Sequence, residues 1–524
     1  MTLDTTKLRA IVIAVLALFA ALYLGITAAT AQFETIAWIM GGVTLITCVL
    51  LGRRIWMLIP FLGALGLTFR IPGQPTSLLV AQGLFLGFAT ILFLMRRLPL
   101  RIRFTELEFW MLVLLLFVIQ VYVRNPVGIL LFGGDTVGGK AYIIFAVTLL
   151  CSFLFAGLQV APKELKAIYP LTIIGGILSL LLLTFGFFLP AFGVWIGAVQ
   201  MSASAAVDTD ASIHDPERAT RIGFIGTAAK NLSLWICTRI SPLQAILRPQ
   251  WIMPILISIA FASLSGFRNT VGAVGLTYIC GLLYRGGGLH LVSSVLAGAM
   301  ALALLAIFNS ASPLPLNIQR SLSFLPGTWE ADVKLDASKS TEWRMEIWKE
   351  VLLTDRWIQN KVLGDGLGFT AKELQTQINL TSKVGAVGIS GFDLHREAIL
   401  ANADYHSGPV QTIRTIGYFG LAALLLAMIR LAVHAHRQVQ RCRGTEWFPL
   451  ALLIGIPLIW APFFFVFIFG SFQIGAAGFL MGAAMVRMLE NNLPLPAYVH
   501  NRARVHVPLV LREREGAART ARSV

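Results

Sequence analysis

Residues Leu289 to Phe308 read LHLVSSVLAGAMALALLAIF. The stretch carries no Asp, Glu, Lys or Arg, and it matches the roughly 20 apolar residues that cross a bilayer's hydrocarbon core as a helix. Directly behind it the character inverts. From Ser310 to Ser407 the chain is polar, with ten Lys and Arg against twelve Asp and Glu. That segment is too long and too varied for a simple connector. A spanning run that delivers a large polar loop to one side of a membrane is the pattern the rest of the chain repeats and frames.

The composition agrees. Of 524 residues, 56% are hydrophobic and only 13% charged, with a mean hydropathy of +0.76; a soluble domain carries about 25% charged residues. Reading apolar runs against polar punctuation gives 14 candidate spans, at about 11–30, 34–51, 55–69, 77–95, 109–123, 141–160, 169–189, 222–240, 250–266, 269–285, 289–309, 408–432, 447–467 and 470–488. The expected fold is an all-α polytopic membrane protein of about 12–14 transmembrane helices. An N-terminal bundle (1–309), the large loop (310–407) between spans 11 and 12, C-terminal helices (408–490) and a basic tail (491–524) make up the chain. The apolar run behind Met1 to Ala10 is long enough to be the first anchor rather than a cleaved signal.

The net charge of +16 sits outside the large loop. It collects in short connectors, at Arg53–Arg54, Arg96, Arg97, Arg101, Arg103, Lys163, Lys166, Arg239, Arg248, Arg285, Arg430, Arg437, Arg441 and Arg443, and in the tail. This is the positive-inside pattern, so no nucleic acid is needed to explain it. It places both termini in the cytoplasm and the 310–407 loop outside, provided the segment 222–240 counts as a crossing. The five cysteines lie in or beside apolar segments with no metal-ligand spacing, and read as packing residues.

Several residues depart from these rules. Arg268, in Ser265-Gly266-Phe267-Arg268, is a cation between two apolar runs on the side that should carry few. Such residues face a bundle interior or cavity, or snorkel from a helix end. Arg221 opens the eighth span from outside, and Lys230 lies about two turns deeper. A lysine there marks a site unless its segment is re-entrant. Arg344 and Trp348 share one face of an amphipathic helix expected over 341–360, which Gly364 to Gly368 breaks. An arginine suits phosphate because its planar fork donates two parallel hydrogen bonds. His406 stands where the loop meets the twelfth span, and an imidazole can take a hydroxyl proton near neutral pH; His395 competes with it. Asp208-Thr209-Asp210 lies in a Ser- and Ala-rich stretch and reads as solvated loop rather than a cation site.

Taken together, these stretches resemble the O-antigen ligase and polymerase superfamily of bacterial inner-membrane glycan transferases. The resemblance rests on Trp343-Arg344…Trp348 followed by Gly364-Asp365-Gly366-Leu367-Gly368, then Tyr405-His406-Ser407-Gly408-Pro409 and Gly417-Tyr418-Phe419-Gly420-Leu421. Upstream, Ser265-Gly266-Phe267-Arg268 and Gly223-Phe224…Asn231 are similar to further family segments. The match runs from about Arg221 to Leu421. Lys230 stands where the family often has proline, and Phe267 separates Arg268 from the serine-glycine pair.

The resemblance implies a GT-C-like helical fold and metal-independent transfer of a polysaccharide or repeat unit. The donor would be an undecaprenyl-diphosphate-linked glycan, and the acceptor a hydroxyl of a lipid or glycan on the periplasmic side, with no cofactor. It casts His406 as the catalytic histidine, Arg268, Arg344 and Arg221 as diphosphate-binding, and leaves Lys230 secondary. The rival expectation is a lipid-linked-glycan flippase or other transporter, but no internal repeat of the kind transporters show is visible.

Overall fold

The computed structural model describes residues 42, 50–69, 73–101, 103–127, 138–189, 222–323, 326–369, 400, 403 and 405–493. The first expected span, all of the second but residues 42, 50 and 51, Arg221, His395, the Asp208–Asp210 stretch and the tail beyond Leu493 lie outside them. The described residues are mostly helical and contain no strand. In chain order the helices are α1 (Leu58–Leu65), α2 (Ser77–Leu94), α3 (Glu106–Arg124), α4 (Lys140–Gly157), α5 (Ile168–Phe188), α6 (Gly223–Arg239) and α7 (Pro249–Leu264). There follow α8 (Arg268–Gly286), α9 (Gly288–Ala311), α10 (Leu316–Leu322), α11 (Ala331–Leu353), α12 (Gly408–Cys442), α13 (Phe448–Phe467) and α14 (Phe472–Asn492).

Eight helical segments among the described residues are long and apolar enough to cross a membrane: α2, α3, α4, α5 with the short turn ahead of it, α9, α12, α13 and α14. The chain is therefore a multi-pass helical membrane protein. The third expected span is a 3₁₀ turn running into the eight-residue α1, too short to cross alone. The eighth to tenth expected spans form α6, α7 and α8, but α7 stops at 16 residues, and α6 and α8 are interrupted by polar side chains. They are helices of the bundle without being clear spans.

Local chemistry sets the helix starts. Thr76 accepts from the amide of Leu79 at 3.1 Å to cap α2, Glu108 reaches back to the amide of Thr105 at 2.9 Å to close a capping box on α3, and Ser471 caps α14 through Ile474 at 3.2 Å. The main core follows from a helical stripe on α3, where Leu107, Met111, Leu114, Val118 and Val121 pack against Phe145 and Leu149 of α4. Leu424, Met428 and Leu431 of α12 and Phe472, Phe479 and Ala483 of α14 close it. The opposite stripe of α3, with Leu112, Leu116, Ile119 and Val123, is exposed. Most of α9 is exposed as well, from Val292 to Phe308. Apolar side chains facing outward all along a helix suit a lipid surround.

The helix expected over 341–360 is longer and earlier: α11 runs from Ala331 to Leu353. Ala331, Lys334, Leu335 and Ala337 are good helix formers, so the helix begins as soon as the Pro326-Gly327 turn is past. The Gly364–Gly368 run does not terminate it. Instead that run repairs a break in α12, whose path is interrupted at Gly417 (φ 77°, ψ −179°). The amide of Tyr418 bonds to Lys361 O at 2.9 Å, while the amides of Asp365 and Gly366 bond to Arg414 O and Thr415 O at 2.7 and 3.2 Å. The loop thus takes over main-chain groups that an unbroken helix would pair internally. Arg124 donates to the carbonyls of Leu363 and Gly364, and Asn125 to that of Asp365, holding the loop from α3. A side chain at Gly417 would place its Cβ 2.1 Å from the Val362 carbonyl oxygen, so only glycine fits.

Candidate functional site

The turn between α7 and α8 supplies the first element. Gly266 (φ 72°) reverses the chain, Phe267 is extended, and Arg268 is the first residue of α8. Helix α6 packs tightly on this turn through Gly226, which lies against Thr270 and Ser265, and the amide of Ile222 bonds to Ser265 O at 3.1 Å. Arg221 adjoins that contact in sequence but lies outside the described residues.

The second element folds back over the end of α9. Leu322 and Trp329 pack on Ala306, and Asn309 donates to Thr328 O at 2.7 Å. With Ile318 and Leu322 directed to α9, Arg320 of α10 is turned inward. It is only 8% exposed and its Nη1 points at Gly266 O, 3.5 Å away. The next residue, Ser321, donates to Ser263 O at 2.8 Å. Sequence reasoning missed Arg320. Its stretch carries proline and serine punctuation and no apolar period, so nothing local separates it from a solvated arginine.

The third element is α11. Ile347 and Val351 are buried in a cluster with Ile358, Phe369, Tyr405, Val410 and Ile413, and Trp343 and Trp348 pack on its margin. Arg344 is carried on the same helix. Its Nε is buried without a hydrogen-bond partner among the described residues. Burial first, then the positive charges of Arg268 and Arg320, hold its guanidinium below the ordinary arginine range. Arg268 and Arg320 are thus charges acting on Arg344. Lys230 stands on α6, where its side chain is exposed.

His406 completes the site. Its backbone is left-handed (φ 51°), and its ring lies 6.3 Å from that of Trp343 and 6.3 Å from that of Phe469, at interplanar angles of 42° and 30°. The indole N–H of Trp348 donates to Tyr405 O at 2.8 Å, and Ser407 caps α12 through the amide of Val410. Gly408 lets α12 start hard against the end of α13, where a Cβ would lie 2.5 Å from Phe465 O. The end of α13 also meets α8: Gly272, one turn after Arg268, abuts Ile468, the neighbour of Phe469. Arg268, Arg344 and His406 therefore gather around α11 and the end of α13. The phenol of Tyr405 is pushed up to about 12, chiefly by burial, so it stays protonated and is not a competing base.

Guanidinium groups converging from three elements can hold a group with more than one negative charge, each offering paired donors. An imidazole beside them can accept a proton from a hydroxyl. Among the described residues no three His, Cys, Asp or Glu come together in a metal-holding group, and Cys151, Cys237, Cys280 and Cys442 are buried free thiols. Comparison with protein-family models finds no match, and comparison with curated proteins finds no significant one.

Proposed function

We propose that this protein is a glycan transferase of the O-antigen ligase or polymerase type, moving a polysaccharide or repeat unit from undecaprenyl diphosphate to an acceptor hydroxyl. The reading includes a GT-C-like bundle in a bacterial inner membrane, termini in the cytoplasm, and the 310–407 loop and its site on the periplasmic side. One observation carries it: half-buried Arg344, whose Nε is buried without a partner among the described residues, has two further arginines acting on it and shares its helix with a tryptophan that packs on His406.

In this reaction His406 takes the proton of the acceptor O–H. The acceptor oxygen forms a new bond to the anomeric carbon, and the bond from that carbon to the diphosphate oxygen breaks. Its electron pair leaves on the diphosphate, and Arg268, Arg320 and Arg344, with Arg221, offset the charge that develops there. Ligase and polymerase differ only in the acceptor, a finished lipid or protein in one case and a second lipid-linked repeat in the other.

The test is turnover by purified protein in nanodiscs, supplied with a lipid-linked oligosaccharide and candidate acceptors. Transfer is expected to survive EDTA and to fall about 10²–10⁴-fold in His406→Ala. Wild-type rates in that variant would remove the mechanism. Movement of the lipid-linked glycan across the bilayer without a transferred product would instead favour a flippase.

A further inference from the structure

We infer that α11 sets the base as well as gripping the donor: Trp348 and Trp343, with Phe469 from the end of α13, are positioning residues for the His406 imidazole. The inference rests on the transfer reading above and adds to it how the two halves of the site are kept in register.

Among the described residues His406 is one of four non-glycine residues with a left-handed backbone. That conformation is costly and persists only where the surroundings fix it, which is common at functional sites. Here it is fixed from both sides. Before it, the Trp348 indole holds the Tyr405 carbonyl at 2.8 Å, and the Tyr405 ring is 2% exposed among Ile347, Val351, Val410 and Ile413. After it, Ser407 begins α12 as its cap. The ring itself is flanked by Trp343 and Phe469. Both tryptophans stand on the helix that carries Arg344. The phosphate-binding cation and the two tryptophans that hold the base are thereby fixed on one helix, Trp348 about one turn (about 5.4 Å) from Arg344. A misplacement of about 1 Å between reacting groups is enough to cost about 100-fold in rate.

The experiment uses the full-length protein in nanodiscs and needs no substrate for its first readout. Carbethoxylation of His406 by diethyl pyrocarbonate is followed across pH by peptide mass spectrometry, with the other histidines as internal reference. In Trp348→Phe, which keeps a ring but loses the N–H, the His406 rate is expected to change at least about threefold. Turnover should then show kcat down about tenfold, with KM for the lipid-diphosphate donor within about twofold. Trp343→Leu should behave likewise, and Trp343→Phe should recover most of the loss; this pair reads the same property if Trp348→Phe does not reach the membrane. His406 labelling at the wild-type rate and with the wild-type pH midpoint in these variants overturns the proposal. If labelling changes as expected but even the wild type turns over no lipid-linked glycan, positioning stands and the transferase reading falls.

Discussion

Helix α12 has a charged group towards each end, and the two are built on opposite principles. Near its far end, acids answer bases. Arg487 of α14 is paired with Glu108 of α3 at 2.9 Å, both side chains nearly buried, and with Glu490 one turn on. His434 lies 3.4 and 3.3 Å from Glu106 and Glu490, and Arg430 pairs with Glu106. Near its start, the charges acting on Arg344 are those of Arg268 and Arg320, both positive. A buried cation is tolerable when its counter-charge is part of the fold. Where positive neighbours act on it, the proposed anionic substrate would relieve their repulsion. The first arrangement clamps three helices together. The second is poised for something brought from outside.

That contrast can be broken by experiment. The largest effect is expected in the clamp: Arg487→Met leaves Glu108 buried without its partner and should cost about 3–5 kcal/mol of stability, read by thermal or denaturant melting in detergent. An unchanged melt there would erase the distinction. Arg344→Met should do the reverse, leaving the melt unchanged or slightly raised while transfer falls about 100-fold, roughly 2.7 kcal/mol of transition-state stabilisation. Inorganic diphosphate or a short lipid diphosphate at ten times its Kd should stabilise the wild type by about 1.4 kcal/mol, and this protection should vanish in an Arg268→Met/Arg344→Met double variant. Protection that persists would move the anion site elsewhere. The smallest effect is expected at the solvent-exposed Lys166–Glu446 pair, where Lys166→Met should change stability by less than about 1 kcal/mol. A larger loss would show that pairing, rather than burial, is what makes the clamp matter.

Much of this was legible in the chain. Apolar length alone located all eight long apolar helices among the described residues, because the bilayer imposes one physical requirement on each. Arg268 stood out because it breaks the charge bias of its side, and Arg344 because Trp348 shares its helical face. Arg320 was invisible. Its burial depends on α10 tucking against Ser263 and Gly266, a tertiary event with no periodic signature. Lys230 was conspicuous for its depth in a hydrophobic segment, but depth alone does not say which side of the helix a residue takes. The Gly364–Gly368 run read as a helix breaker. Its partner, the break at Gly417, lies 50 residues away, and no local rule joins them.

The stitching of residues 360–366 to the interrupted helix has a practical corollary for chimeras. By hydrogen bonding, the opening turns of α12 up to Gly417 belong with the segment before them rather than with the membrane-crossing turns that follow. A graft that cuts at Gly408, where hydropathy places the border, would separate the amides of Asp365 and Gly366 from their acceptors on Arg414 and Thr415 and part Tyr405 from Val410 and Ile413. The transplantable cassette is therefore expected to extend through Gly417, and to travel with Arg124 and Asn125 or their equivalents in the recipient.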